Sequence, residues 1–99
     1  MTFQNKENGR VAAVVVTYNR VQMLRQCLAA LRAQSAPCDV LVVDNASTDD
    51  TAAVVQQLRQ SDSTVYYRST GANLGGAGGF NFGMRWAVEA GSRFVWVMD

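Results

Sequence analysis

Apolar residues along this chain form two kinds of pattern, unbroken runs and one-sided repeats, and the two alternate. Val11-Ala12-Ala13-Val14-Val15-Val16 is a continuous run rich in β-branched residues, the pattern of a strand covered on both faces. It gives way abruptly to the polar Thr17-Tyr18-Asn19-Arg20. From Val21 to Gln34 the apolar residues recur at Val21, Leu24, Leu28 and Leu31, which predicts an amphipathic helix closed by Ser35-Ala36-Pro37. Val40-Leu41-Val42-Val43 predicts a second buried strand, with Asp44-Asn45 at its C-terminal end. Ser47-Thr48-Asp49-Asp50 has the make-up of a capped helix start, and the helix behind it should bury Val54, Val55 and Leu58. Val65-Tyr66-Tyr67 is a short third strand. After a glycine-rich loop, Phe80, Met84, Ala87 and Val88 share one helical face, and Gly91 stops that helix. Phe94-Val95-Trp96-Val97-Met98 predicts a fourth strand that runs into Asp99.

Strands alternating with helices predict an α/β fold: three α/β/α layers around a mostly parallel four-stranded sheet. Such sheets bind ligands beyond the C-terminal ends of their strands, where the strand order reverses. The polar groups collect at that edge. Thr17 to Arg20 follow the first strand, Asp44 the second, the glycine loop precedes the third helix, and Asp99 follows the fourth strand.

The stretch with most chemistry is Asn73 to Gly83. Half of the chain's eight glycines lie between Gly75 and Gly79, so backbone can approach a ligand closely there. At a helix N-terminus its N–H groups favour an anion such as phosphate, although a flexible surface turn would use the same residues. Asp44 could close a turn or accept hydrogen bonds from a base or a ribose. Tyr18 could pack or present a flat surface to a base, and Arg20 could be solvated or contact base or phosphate. Thr17 and Asn19 could merely satisfy turn backbone. Asp99 suits a ribose hydroxyl or a Mg²⁺ or Mn²⁺ ion, but one carboxylate does not complete a metal site. Trp86 and Phe82 lie four apart on another side of the third helix, as core against the sheet or a face that further protein covers.

Composition narrows the reading. Ninety-nine residues suffice for one small domain, here 11–99, behind a polar arm at 1–10 expected to be flexible. A net charge of +1, with eight arginines and Lys6 scattered along the chain, argues against nucleic acid as a partner. There is no histidine, which removes the usual zinc sites and Ser-His-Asp triads. Cys27 and Cys38 stand outside any zinc or redox spacing, and the polar first ten residues lack a signal peptide, so a cytoplasmic setting with reduced thiols is expected. A dinucleotide-binding domain would place its glycines directly after the first strand, a P-loop would need a lysine in the glycine run, and a receiver domain would need an acidic pair after the first strand. All three are lacking.

Four segments in this order resemble the N-terminal half of family 2 glycosyltransferases, which have the GT-A fold and use nucleotide sugars. They are Val14 to Arg20, Val42 to Asp49, Asn73 to Gly76 and Val95 to Asp99. The longer run Asn73 to Met84 with Phe94 to Asp99 looks most like the bacterial galactofuranosyl- and rhamnosyltransferase branch, enzymes of cell wall polysaccharide biosynthesis. The resemblance implies that Thr17, Tyr18 and Arg20 hold a uracil or thymine ring and that Asp44 accepts from base or ribose. Asn73, Gly75 and Gly76 would line the base, ribose and diphosphate. Asp99 matches the first aspartate of a D-x-D element whose last member binds Mg²⁺ or Mn²⁺. The implied reaction is inverting transfer from a UDP- or dTDP-sugar to a glycan or lipid-linked hydroxyl, at the inner face of the membrane. The general base and the acceptor site would belong to a C-terminal half, so no catalytic residue is expected within this chain and the fragment is expected to be inactive alone and prone to self-association. The alternative is a non-catalytic nucleotide-binding or interaction module ending near residue 99.

Overall fold

The computed structural model describes residues 11–33, 38–91 and 93–98. Its elements alternate as the pattern predicts: β1 (Val11–Thr17), α1 (Val21–Arg32), β2 (Asp39–Asp44), α2 (Thr51–Ser61), β3 (Val65–Ser69), α3 (Gly75–Glu89) and β4 (Arg93–Met98). The sheet has the order β3-β2-β1-β4 and all three pairings are parallel. The chain therefore steps outward from β1 to β3, and α3 then carries it back across to the far side of β1. That reversal opens a crevice at the C-terminal end of β1.

Each buried strand serves two cores because successive side chains point to opposite faces. Ala12, Val14, Val16, Leu41 and Val43 pack with Trp86 and Ala87 of α3 on one face. Val15, Val40, Val42 and Val65 pack with Leu24 and Leu28 of α1 and Val55 of α2 on the other. This double covering explains why β1 and β2 read as continuous apolar runs. Cys27 and Cys38 both pack at the margin of the second core.

Three expectations need correction. First, the glycine run is not a loop before α3 but its first turns, since the helix begins at Gly75. Glycine inside a helix costs about 1 kcal/mol relative to alanine, so another interaction must offset it. Close packing does: a Cβ at Gly79 would lie 2.7 Å from Val16 Cγ1, and one at Gly83 would lie 2.3 Å from Val14 Cγ1. The two glycines are four apart and make a flat face by which α3 descends onto the sheet. Second, the face of Phe80, Met84, Ala87 and Val88 is only in part the packing face, since Ala87 is buried and Phe80 packs against the first core but Val88 does not. Gly79, Gly83, Trp86 and Ala87 are buried, whereas Val88 is 61% exposed. Trp86 is core against the sheet, and the Arg68 guanidinium lies 4.4 Å from its ring centroid. Trp86 is thus covered by the chain itself rather than left for further protein. Third, α2 starts behind Ser47 to Asp50, at Thr51, but these residues do not form a capping box. Asp50 is the N-cap with no side-chain cap hydrogen bond, and Ser47 and Asp49 are occupied in a polar turn at the sheet edge.

Met1 to Arg10, Pro37 and Asp99 lie outside the described residues. Gly91 does end α3: its φ is +78° and its N–H donates to the Val88 carbonyl.

Candidate functional site at the strand ends

The site grows from the ends of β1 and β2, where Thr17 stands in register with Asp44. Beyond Thr17 the chain turns sharply, with Asn19 at φ +49°. Asparagine tolerates this region better than most residues. The Asn19 side chain joins two loops: its Oδ1 accepts from the backbone N–H of Thr48 at 2.7 Å and of Asp49 at 3.2 Å. Its own N–H donates to Ser47 Oγ at 2.9 Å, and the Val21 N–H donates to Asp49 Oδ2 at 3.3 Å. The Thr51 hydroxyl, opposed by burial and helped by backbone N–H donors, holds the Asp49 carboxyl below the ordinary carboxylate value.

Asp44 is 1% exposed and both of its carboxylate oxygens have partners. Oδ1 accepts from the Ser47 N–H at 2.9 Å and Oδ2 from the Tyr67 hydroxyl at 2.6 Å. Burial first, then the Asp44 carboxylate, pushes the Tyr67 phenol well above its ordinary value. The next residue, Asn45, is 2% exposed, and its Nδ2 donates to the Gly75 carbonyl at 3.0 Å. Asn73 Oδ1 in turn accepts from the Gly75 N–H at 2.9 Å. Gly75 has φ +74°, the left-handed region where a Cβ is strained, so glycine is required at the entry to α3.

These loops enclose a cavity of about 250 Å³. Thr17, Tyr18 and Arg20 form one wall and Asn73, Gly75 and Gly76 the other, with Val16 and Asn45 completing the lining. Six of the eight sequence-predicted residues meet here. Asp44 is not in the lining but supports the turn beside it, and Asp99 lies outside the described residues. Met98, in register with Val16, brings β4 to the same end of the sheet. Thr17 Oγ1 is buried and has no hydrogen-bond partner. An orphan hydroxyl of this kind costs about 1–3 kcal/mol. Gly75 and Gly76 open α3, so the positive end of the helix dipole adjoins the cavity.

Asn45 is the residue that sequence reasoning did not single out, although it stands directly after Asp44. Its signal is tertiary, a buried amide reaching thirty positions along the chain. Among the described residues no three His, Cys, Asp or Glu side chains gather to hold a metal ion. Asp44 and Asp49 are engaged by backbone and hydroxyl donors, so the described residues alone do not make a metal centre. A larger cavity, about 350 Å³, lies between α1 and α2 and is lined by Arg25, Leu28, Arg32, Val54 and Leu58 among others. It contains none of the strand-end groups, and its size alone gives it no chemistry. No described helix is long and apolar enough to cross a membrane.

Comparison with known proteins adds a relationship to this geometry. The family described as Glycosyl transferase family 2 matches residues 12–99. The chain is 41% identical over 90 residues to Galactofuranosyltransferase GlfT1 of Mycobacterium tuberculosis H37Rv, covering 90% of this chain and 29% of that protein. It is 37% identical over 92 residues to the undecaprenyl-phosphate mannosyltransferase of Micrococcus luteus, covering 91% of this chain and 37% of that one. The chain thus spans about three-tenths of the length of the galactofuranosyltransferases it matches. Among solved structures, the mannosyltransferase PcManGT of Pyrobaculum calidifontis, in complex with GDP-Man and Mn²⁺, superposes with a TM-score of 0.71 at 27% identity. That match covers 81% of this chain and 25% of the other.

Proposed function

This chain belongs to glycosyl transferase family 2, and from that premise we propose that its strand-end cavity holds the nucleotide of a nucleotide-diphosphate sugar. The observation that carries the reading is the cavity itself. A flat aromatic, Tyr18, and a cation, Arg20, stand across about 250 Å³ from a glycine helix N-terminus, with Thr17 also in the lining. The first wall suits a base and the second an anion, which together describe a nucleotide. Thr17, Tyr18 and Arg20 would take the base, while Asn73, Gly75 and Gly76 would line the ribose and diphosphate. Asp44 would act next to the base, through the Asp44–Ser47 turn or through a remaining lone pair on its carboxylate.

The parent protein would transfer hexose from a UDP- or dTDP-sugar, with inversion, to a hydroxyl of a glycan or lipid-linked acceptor. The names of its galactofuranosyl- and mannosyltransferase relatives support the transfer class. A divalent cation, Mg²⁺ or Mn²⁺, would be held by Asp99 together with residues beyond this chain, and when bound it would neutralise the leaving diphosphate. The Mn²⁺ in the mannosyltransferase structure supports that cofactor class. Lipid-linked acceptors would set the enzyme at the cytoplasmic face of a membrane. The free edge of β4, which among the described residues pairs only with β1, would be closed by further chain or by self-association.

Isothermal calorimetry with UDP, dTDP and GDP, on wild type and on Arg20→Ala and Tyr18→Ala, tests the site. Saturable binding of UDP or dTDP that weakens about tenfold in each variant is expected. Equal affinity in both variants would remove the assignment.

A further inference from the structure

The segment that carries the second wall of the cavity has little packing of its own. Residues 71–77 are all exposed, and its two glycines with positive φ, Gly71 and Gly75, have nothing within 4 Å of an ideal Cβ. What holds it is polar. The Thr70 N–H donates to the Asp44 carbonyl at 2.9 Å, and Asn45 makes the rest of the connection. Asn45 Nδ2 donates to the Gly75 carbonyl at 3.0 Å, and Oδ1 lies 3.3 Å from Thr70 Oγ1, whose single proton it shares with the nearer Ala72 carbonyl. An amide has a donor end and an acceptor end, so one side chain can hold both ends of the loop. No carboxylate or hydroxyl of similar size does both with the same geometry. Gly79 belongs to the same device. A Cβ there would lie 2.9 Å from Asn45 Nδ2 and 3.2 Å from Oδ1, so glycine leaves the amide room beneath α3.

We infer that Asn45 is a positioning residue that latches the Asn73–Gly76 wall against the Thr17–Arg20 wall, acting through Gly75 and Thr70. The inference rests on the nucleotide reading of the cavity for its functional meaning, but the latch itself exists without ligand. With the amide in place the loop is preorganised, and little further ordering opposes ligand entry. Without it, the loop exchanges among conformers and the two walls lose their spacing.

The test uses the full chain and three variants. Asn45→Asp keeps the size of the side chain but removes the Nδ2 donor and sets a carboxylate against the Gly75 carbonyl. Thr70→Val removes the hydroxyl, and with it the contacts to both Asn45 and the Ala72 carbonyl, at constant shape, and Thr70→Ser retains it. Amide hydrogen exchange is measured without nucleotide, and UDP affinity is measured by calorimetry. The latch predicts that Asn45→Asp and Thr70→Val each speed exchange about tenfold at Gly78 and Gly79, the first amides of α3 placed to bond within the helix, while β1 and β2 stay protected. Both should weaken UDP about tenfold, and Thr70→Ser should match wild type in both readouts. Unchanged exchange at Gly78 and Gly79 in Asn45→Asp, or faster exchange spread evenly over the sheet, overturns the latch. Failure of the wild-type chain to bind UDP overturns the reading of the cavity instead, and the exchange data still decide the latch.

Discussion

Replacing Gly83 by alanine sets two known effects against each other at one atom. Alanine in a helix interior gains about 1 kcal/mol over glycine, so a helix judged alone should be stabilised. In the folded chain the new methyl would lie 2.3 Å from Val14 Cγ1 and 3.1 Å from Val43 Cγ2. Ordinary carbon contacts are about 3.5–4.0 Å, so more than an ångström of separation has to be created. Val14 is fully buried on β1, which is paired on both edges, by β2 and by β4. It cannot step aside, and α3 must lift instead, loosening Trp86 and Ala87 in the same core. Overpacking costs about 1–3 kcal/mol, and a separation short by more than an ångström against a strand that cannot yield falls in the upper part of that range, about 2–3 kcal/mol. That leaves a net loss of about 1–2 kcal/mol after the helical gain. For a domain this small that is a fall in Tm of about 4–16 °C. The assay is urea unfolding followed by far-UV circular dichroism, with Gly76→Ala as control. Gly76 is in the same helix with nothing within 4 Å, so its alanine variant should lose no stability. Pairing Gly83→Ala with Val14→Ala should cost less than the sum of the two single changes, because the second makes room for the first. A Gly83→Ala protein as stable as wild type would refute the close-packing account of the glycine face.

Other consequences concern the carboxylates. Tyr67→Phe removes a 2.6 Å hydrogen bond from the buried Asp44 and should cost about 1–3 kcal/mol at pH 7, read by urea unfolding. Because the Tyr67 phenol is raised above its ordinary 10 in the folded chain, the unfolded chain ionises first. The stability this tyrosine adds is complete below pH 10 and declines as pH rises beyond it, so the wild-type advantage over Tyr67→Phe should shrink only at alkaline pH. Asp62 behaves in the opposite sense. Burial raises its carboxyl, but the Thr64 hydroxyl and N–H, then Arg32 at 2.8 Å, outweigh that and hold it below 3.8. Its contribution is present above pH 3.8 and lost as pH falls through the folded value, so Asp62→Asn should cost about 1 kcal/mol at neutral pH and less in acid.

How far the letters carried the reading depended on the kind of signal. Val11 to Val16 and Val40 to Val43 were legible as doubly covered strands because hydrophobic burial is written directly into side-chain type. The one-sided repeat of Leu24 and Leu28 marked α1 for the same reason. The start of α3 was not legible. Glycine is neither apolar nor a helix former, so Gly75 to Gly79 read as a loop before the helix, and the packing role of Gly79 and Gly83 shows only where the sheet beneath them meets a Cβ. Val88 shares a helical face with Phe80, Met84 and Ala87, yet it is exposed, because Gly79 and Gly83 decide which side of α3 meets β1. Thr17, Tyr18, Arg20, Asn73, Gly75 and Gly76 were legible because polar residues at strand ends gather at one edge in a parallel sheet. Asn45 was hidden since its meaning lies in contacts with Thr70 and Gly75, positions that no periodicity links to it.

The central claim, that the strand-end cavity is a nucleotide site, is tested most directly by titrating UDP into ¹⁵N-labelled protein and following every backbone amide. The account predicts saturable shifts confined to Thr17 to Arg20 and Asn73 to Gly76, the two walls of the cavity. Shifts centred instead on Arg25, Arg32 and Ser61 between α1 and α2, or none at millimolar UDP, would contradict it.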